Sequence, residues 1–215
     1  MLMHLICADD SDHTWAPTQT EILVTSVLLV FGSSNVGKST LAARIQELLG
    51  WSAQSTDRMA RHPGRPWPQL PDQVAEYYSS LSDETIYWFL RVHHENMWPR
   101  VRHTIADAAN AATGVVLEGS ALRPEYIADL PYPNLASIGL FADEQFLRTR
   151  IQSESQYAQQ NSASKLLIDK FLTRSLRDNA EVVEAANRLA LPLIDVANPD
   201  ELNQFVENFR TQAQR

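Results

Sequence analysis

The feature that most constrains the fold is the stretch GSSNVGKST, residues 32–40, which directly follows the apolar run ILVTSVLLVF, residues 22–31. That run is apolar and β-branched on both faces, as in a central strand of a parallel sheet that is covered on both sides. Apolar residues then recur at helical spacing from Leu41 to Leu49, and Gly50 can end the helix in a left-handed conformation. The three segments predict a buried strand, a glycine-containing loop and a helix in succession.

Apolar runs and helical patterns alternate along the rest of the chain. Further strands are expected at residues 52–56, 114–120, 135–141 and 191–196. Two helices are expected after Pro71, with apolar stripes at Ile86–Met97 and Val101–Ala112. Three more are expected: one at residues 143–151, a long one from Lys165 to about Leu189, and a last one capped by Asn198. Strands that alternate with helices in this way form a parallel sheet with helices on both faces, so the sequence predicts a three-layer α/β fold.

The loop between the first strand and its helix fits the pattern G-x-x-x-x-G-K-[ST]. Its glycines let successive backbone N–H groups wrap a phosphate, and the dipole of the following helix favours the same anion. A lysine at this position reaches the β- and γ-phosphates, and the hydroxyl after it ligates Mg²⁺. We therefore predict ATP and Mg²⁺ as cofactors. The predicted nucleotide contacts are Gly32, Ser33, Ser34, Asn35, Val36, Gly37, Lys38, Ser39 and Thr40.

Two carboxylates are expected at the carboxyl edge of the sheet beside this loop. Asp57 follows the second strand, and Glu118 ends the run VVLE. Ligands bind at this edge in parallel α/β folds. We assign Glu118, together with Ser39, to the shell of the metal ion, and Asp57 to orienting an acceptor hydroxyl and accepting its proton. The alternative for Asp57 is a helix cap or turn residue, because Thr-Asp before a helix is a common start signal.

Phosphoryl transfer also needs positive charge against the moving phosphoryl group. Arginines lie on both sides of the polar, unpatterned segment 153–164. Arg174 and Arg177 are three residues apart and can share a helix face, and Arg174 is expected to face away from the core. We expect Arg174 to act in catalysis, with Arg177 as the other candidate. For each of them, pairing with a surface carboxylate remains the alternative.

The stretch TDRMARHPGRPW, residues 56–67, places Arg58, Arg61 and Arg65 around a Pro-Gly break. These arginines cannot form a regular helical face, so we expect a rigid turn that holds them at differing angles around a pocket. About fifty residues separate the second and third strands, which is enough for a helical region that binds an acceptor. The arginines favour an acidic or phosphorylated acceptor; a solvated basic loop is the alternative.

Composition limits the partners of the chain. Its formal net charge is -8, which does not favour a broad nucleic-acid-binding surface, and no run reaches the ~18 apolar residues of a membrane span. The single Cys7 rules out an intramolecular disulfide and is typical of a reducing compartment. The histidines lack metal-ligand spacing, so we predict no zinc site. We expect a cytoplasmic protein with a small-molecule acceptor and no membrane or nucleic-acid partner, and the sequence leaves the oligomeric state open.

From residue 27 to 209 the chain resembles small P-loop kinases of the nucleoside monophosphate kinase type, such as chloramphenicol phosphotransferase, shikimate kinase and 2-phosphoglycerate kinase, and uncharacterised bacterial kinase-like ATPases. The resemblance implies that Asp57 contacts the acceptor hydroxyl. It also implies that Arg150, in RTRI, begins the lid that closes over the nucleotide, although Glu154 and its neighbours supply no second lid arginine. VLEGSALRP resembles the third-strand end at which an arginine, here Arg123, holds the anionic group of the acceptor.

These observations predict an ATP-dependent kinase that phosphorylates the hydroxyl of a small, anionic metabolite or antibiotic. The alternatives are a kinase of a nucleic-acid 5'-hydroxyl or a nucleotide sugar, and a regulatory ATPase that is not a kinase. The predicted organisation is an N-terminal extension at residues 1–20 followed by a P-loop kinase domain at residues 21–215. Within that domain we expect a helical acceptor-binding insertion at residues 57–113 and a mobile lid at about residues 150–178.

Overall fold

The computed structural model describes residues 25–213 of the chain. The predicted N-terminal extension, residues 1–20, and the first residues of the predicted first strand lie outside this range. Within it, no helix is both long enough and apolar enough to cross a membrane.

Five strands form one sheet in which every neighbouring pair is parallel. They are β1 (Val27–Phe31), β2 (Ser52–Ser55), β3 (Val115–Glu118), β4 (Leu135–Phe141) and β5 (Leu193–Asp195). Their order across the sheet is β2-β3-β1-β4-β5, so the strand before the glycine loop is central. All five strands therefore end at the same edge of the sheet.

Seven α-helices connect and cover the strands within the described range. They are α1 (Lys38–Leu49), α2 (Asp72–Ser80), α3 (Asp83–Ala109), α4 (Pro124–Ile127), α5 (Glu144–Glu154), α6 (Ser162–Arg188) and α7 (Pro199–Ala213). Short 3-10 turns lie at Thr56–Arg58 and Tyr157–Gln159. The predicted three-layer α/β arrangement of a parallel sheet between helices is confirmed.

One helix prediction is wrong. We expected two helices between Ser82 and Ala112, but α3 runs without interruption from Asp83 to Ala109 and contains Pro99. A proline inside a helix removes one backbone donor and usually kinks or ends the helix. Here Met97 and Val101, on either side of it, are both buried in the same core cluster, and this shared packing carries the helix past the proline.

Alternate residues of β1 face the two layers of helices. Leu28 and Val30 pack in a core cluster with residues of α1 and α7, whereas Leu29 and Phe31 pack in a cluster with residues of α3 and α6. Successive side chains of a strand point to opposite faces, so both faces of β1 must be apolar. All five residues of β1 are fully buried, and each such side chain contributes about 1.5–3 kcal/mol through burial.

A third apolar cluster joins the helices above the carboxyl edge of the sheet. It contains Tyr78 of α2, Ile86 of α3, Ile151 of α5 and Phe171 of α6. These helices come from distant parts of the sequence, and their contact encloses the space above the glycine loop. The fold therefore builds a cleft between the sheet edge and the helices.

The ends of β2 and β3 are held together by a close approach at Gly119. This glycine has φ +152°, and a Cβ at this position would lie 1.7 Å from Thr56 Oγ1. Thr56 is fully buried and is followed directly by Asp57, while Gly119 directly follows Glu118. The absence of a side chain at position 119 thus lets the chain segments that carry the two predicted acidic site residues run side by side.

Gly119→Ala should lower the free energy of unfolding by about 3 kcal/mol, because it combines backbone strain with a clash against a buried side chain. Gly50→Ala is the control, since Gly50 also has a positive φ but no heavy atom lies within 4 Å of the added Cβ. The free energy of unfolding of that variant should be lower than that of the wild type by about 1 kcal/mol. Urea denaturation measures both values, and equal losses would contradict the close approach.

Candidate functional site

A cleft of about 380 Å³ lies at the carboxyl edge of the sheet. It is lined by the glycine loop and the start of α1, and also by residues of the 57–65 segment, α3 and the loop after β3, which together we name the acceptor end. Side chains from α5 and α6 form the remaining wall. The cleft therefore joins the predicted nucleotide-binding loop to the predicted acceptor region.

The glycine loop has the conformation needed to surround an anion. Gly37 is left-handed, with φ 92°, and precedes the first residue of α1. Lys38 is largely buried, and its Nζ donates a hydrogen bond to the backbone oxygen of Ser33 at 2.5 Å. Ser33 Oγ in turn donates to Asn179 of α6 at 3.4 Å. The lysine thus lies across the loop whose backbone is predicted to hold phosphates.

Burial lowers the pKa of Lys38, because desolvation disfavours the ammonium. The negative charges of Glu118 and then Asp57 oppose this shift. Both predicted acidic residues therefore lie close enough to Lys38 to act on its charge. An anionic ligand at the loop would favour the ammonium in the same way.

Ser39 and Glu118 form a pair of oxygen ligands suited to a hard cation. Ser39 Oγ donates to Glu118 Oε1 at 3.1 Å, and Glu118 is 6% exposed. Mg²⁺ prefers oxygen ligands and is commonly held by one or two protein groups, with waters and phosphates completing its shell. These two residues fit that donor set. In residues 25–213 no group of three or more His, Cys, Asp or Glu forms a larger metal cluster.

Asp57 lies in the 3-10 turn Thr56–Arg58, directly after β2, and its exposed side chain lines the cleft. Burial and the neighbouring His62 lower the pKa of His93, and the charge of Asp57 acts in the opposite direction. Asp57 therefore faces the histidines of the acceptor end as well as Lys38. Asp57 is the second residue of this turn, as the turn-residue alternative describes, and it caps no α-helix. Its role towards an acceptor hydroxyl stays a prediction.

The three arginines of the predicted acceptor turn have different surroundings. Arg65 lines the cleft and forms an ion pair with Glu154 at 3.2 Å. Arg61 lines an adjoining cavity of about 200 Å³, which shares His62 and Arg174 with the cleft. Arg58 is exposed and lines neither cavity. The structure thus brings Arg65 to the cleft, places Arg61 next to it, and leaves Arg58 outside.

The structure does not bring Arg123 to the cleft, where we expected it to bind the acceptor. Arg123 is fully buried, and its Nη1 donates to Asp178 Oδ1 of α6 at 2.6 Å. Glu125 lies 3.5 Å from its Nε. A guanidinium inside the core must be paired because an unpaired buried charge is very costly. Arg123 joins the loop after β3 to α6.

Two other arginines reach the cleft. Arg150 lines it, and its Nη1 lies 3.7 Å from the position of a Cβ on Gly37. Arg174 is 7% exposed and donates to Ser34 Oγ of the glycine loop at 3.3 Å. Its neighbour Arg177 instead pairs with Glu84 at 2.8 Å on the surface. Of the two candidates on α6, Arg174 is therefore the one that faces the loop.

Several residues that line the cleft were not assigned to the site from the sequence. His93 and His94 line the acceptor end, and Glu154 lies beside the glycine loop. His93 shares the apolar stripe of α3 with Leu90 and Met97, a signal that it faces inward, and these two also line the cleft. The local sequence indicates only the pairing of Glu154 with Arg150, four residues earlier, because its other two partners, Asn35 and Arg65, lie far away in the chain.

No protein-family model and no curated protein sequence matches the chain. Solved structures do match. A gluconokinase from Sinorhizobium meliloti 1021 has 21% sequence identity and a TM-score of 0.51, with 88% of this chain and 98% of that chain covered. A deoxyadenosine kinase from M. mycoides, solved with bound dATP, has 14% identity and a TM-score of 0.49, with 85% and 98% covered. A shikimate kinase from Bacteroides thetaiotaomicron has 13% identity and a TM-score of 0.48, with 88% and 98% covered.

Of these three, the gluconokinase exceeds a TM-score of 0.5. At its level of identity the likeness shows a shared fold and nothing about the substrate. The chain therefore has the fold of a small P-loop kinase, as the sequence predicts.

Arg123→Met should lower the free energy of unfolding by about 3–5 kcal/mol, because it leaves Asp178 as an unpaired buried carboxylate. Adding Asp178→Leu should recover most of that loss. Arg148→Met is the control, because Arg148 pairs with Glu144 on the surface and should contribute less than about 1 kcal/mol. Urea denaturation of the four proteins tests this, and an Arg123→Met loss as small as that of the control would contradict a buried structural pair.

Stability should also depend on His94. Burial, and then the charge of Arg123, lowers its pKa well below 6.5, so below that pH the unfolded chain takes up a proton that the folded protein does not. The free energy of unfolding should therefore fall as pH decreases from about 7 to 5. His94→Gln should flatten this slope, whereas His103→Gln, which alters an exposed residue of the same helix, should not. Urea denaturation across this pH range measures the slopes, and equal slopes in wild type and His94→Gln would refute the assignment.

Proposed function

We propose that the protein is an ATP-dependent kinase that transfers the γ-phosphoryl group to the hydroxyl of a small, anionic metabolite or antibiotic. The observation that carries this proposal is that one cleft contains both Lys38 of the glycine loop and, towards its acceptor end, the exposed carboxylate of Asp57. A loop alone would support nucleotide binding. A carboxylate in the same cleft adds a group that can accept a proton.

The loop end of the cleft suits the nucleotide. Backbone N–H groups of the loop and the N-terminus of α1 would hold the phosphates, with Lys38 against the β- and γ-phosphates. Ser39 and Glu118 would hold Mg²⁺, which when bound neutralises charge on the phosphate oxygens. Arg150 and Arg174 both face the loop, so their guanidinium groups would stabilise charge on the phosphoryl group in flight.

The acceptor end suits a hydroxyl compound. Asp57 would orient the hydroxyl and accept its proton as the acceptor oxygen attacks the γ-phosphorus. The bond between that phosphorus and the β–γ bridging oxygen breaks, so ADP leaves and a phosphate ester forms. His93, whose pKa is lowered by burial, would be neutral near pH 7 and able to exchange hydrogen bonds with a polar acceptor.

The proposal that the acceptor is negatively charged is supported by two positive side chains. Arg65 lines the cleft, and Arg61 lines the adjoining cavity. The cleft volume of about 380 Å³ has to hold the phosphates as well as the acceptor, so it suits a small molecule. Arg123 contributes nothing to this charge because it is neutralised by Asp178. We also propose a cytoplasmic location, where ATP is supplied.

Asp57→Asn should reduce kcat for phosphoryl transfer by about 10²–10⁴-fold and leave the Kd for Mg-ATP within about twofold, because the amide cannot accept the proton. The matched control is Asp129→Asn, an exposed aspartate that does not line the cleft. Transfer is measured with γ-labelled ATP and a small-molecule extract, and ATP binding by calorimetry. ATP hydrolysis without a labelled ester in the wild type would favour a regulatory ATPase. Loss of ATP binding in Asp57→Asn would instead place Asp57 in the nucleotide site.

A further inference from the structure

Three carboxylates line the cleft, and the proposed reaction uses two of them. Asp57 faces the acceptor end, and Glu118 lies beside Ser39. The third is Glu154, the last residue of α5. A carboxylate beside a loop that is built to bind phosphates opposes anion binding, so its presence there needs a physical explanation.

Glu154 binds side chains from three separate parts of the fold. Its Oε2 accepts from Asn35 Nδ2 of the glycine loop at 2.7 Å and from Arg65 Nη1 of the acceptor turn at 3.2 Å. Its Oε1 accepts from Arg150 Nε, four residues earlier on α5, at 3.2 Å. One amide and two guanidinium groups thus converge on a single anionic group.

These donors lie where they would also meet a polyphosphate. Asn35 is part of the loop itself, and a nitrogen of Arg150 approaches Gly37, the second glycine of that loop. Arg65 lines the same cleft as Lys38. Carboxylate and phosphate oxygens accept the same charge-assisted hydrogen bonds from such groups. Glu154 therefore makes contacts that a bound phosphate would compete for.

Fold stability does not account for this arrangement. The side chains of Arg65, Arg150 and Glu154 are 50%, 35% and 33% exposed, and ion pairs with this exposure stabilise a fold only weakly. Arg148 and Glu144 form an ion pair with the same four-residue spacing on the same helix and do not line the cleft. The feature that distinguishes Glu154 is its connection to the loop and to the acceptor turn.

We propose that Glu154 is an internal competitor of the nucleotide phosphates: it binds Asn35, Arg150 and Arg65, and the polyphosphate displaces it from them. Displacement frees Arg150 for the phosphates and Arg65 for the anionic acceptor, so nucleotide binding precedes and favours acceptor binding. This inference rests on the proposed function. The competition reduces the apparent nucleotide affinity to the intrinsic affinity multiplied by the fraction of molecules in which these donors are free of Glu154.

Glu154→Gln tests the proposal, because glutamine keeps the length and one acceptor oxygen but removes the negative charge. The Kd for Mg-ATP should fall about tenfold, since charge-assisted hydrogen bonds to the competitor are weakened and like-charge repulsion is lost. The decrease in Kd should be smaller for ADP, and the Kd for AMP should change by less than about twofold. The gain in affinity depends on the number of phosphates that meet these donors. Calorimetry with the three nucleotides measures this series.

Glu144→Gln is the matched control and should leave all three dissociation constants unchanged. A Glu154→Gln protein that binds ATP no more tightly than the wild type, or that gains equally for AMP and ATP, would overturn the inference while leaving the proposed function intact. A wild-type protein that binds no nucleotide would overturn both. Circular dichroism of each variant shows whether it is folded before its affinity is compared.

Discussion

The arrangement of the cleft centres on Lys38, whose ammonium is surrounded by groups that favour its charge although burial opposes it. Lys38 lies largely out of solvent at the start of α1, and burial lowers its pKa. Its hydrogen bond to the backbone of Ser33 and the charges of Glu118 and Asp57 offset part of this cost. The central position of β1 in the sheet and the close approach at Gly119 place all of these groups at one edge. The proposed phosphate site and the proposed proton acceptor therefore lie at the same edge of the sheet.

Several basic residues in or near the cleft are paired with carboxylates, and the chain as a whole is acidic. Arg123 is neutralised in the core by Asp178, and Arg65 and Arg150 share Glu154. Arg174 lies over the ring of Phe171, 4.5 Å from its centroid, and binds the loop. The pairs differ in burial, and this decides their roles: the fully buried pair holds the fold together, while the half-exposed pairs can exchange a carboxylate for a ligand.

Features that depend on neighbouring residues were predictable from the sequence, whereas those that depend on distant partners were not. The strands, the glycine loop and the place of Asp57 after β2 follow from periodicity and turn chemistry. The partner of Arg123 is 55 residues away, and Glu154 meets Asn35 across 119 residues, so no local pattern reports either contact. The apolar stripes Ile86–Met97 and Val101–Ala112 were predicted as two helices, whereas packing on both sides of Pro99 carries one helix through both. The lid at residues 150–178 and the acceptor region at residues 57–113 remain predictions.

In the proposed function, one cleft joins a nucleotide phosphate site to the site of a hydroxyl acceptor. The most direct measurement follows the γ-phosphoryl group itself, by incubating the protein and Mg-ATP with separate pools of hydroxylated small molecules, anionic and neutral, and identifying the product that carries the phosphorus. We expect a phosphate monoester of an anionic compound, formed in equal amount to ADP. Phosphorus recovered only as inorganic phosphate, at the same rate with and without every pool, would contradict it.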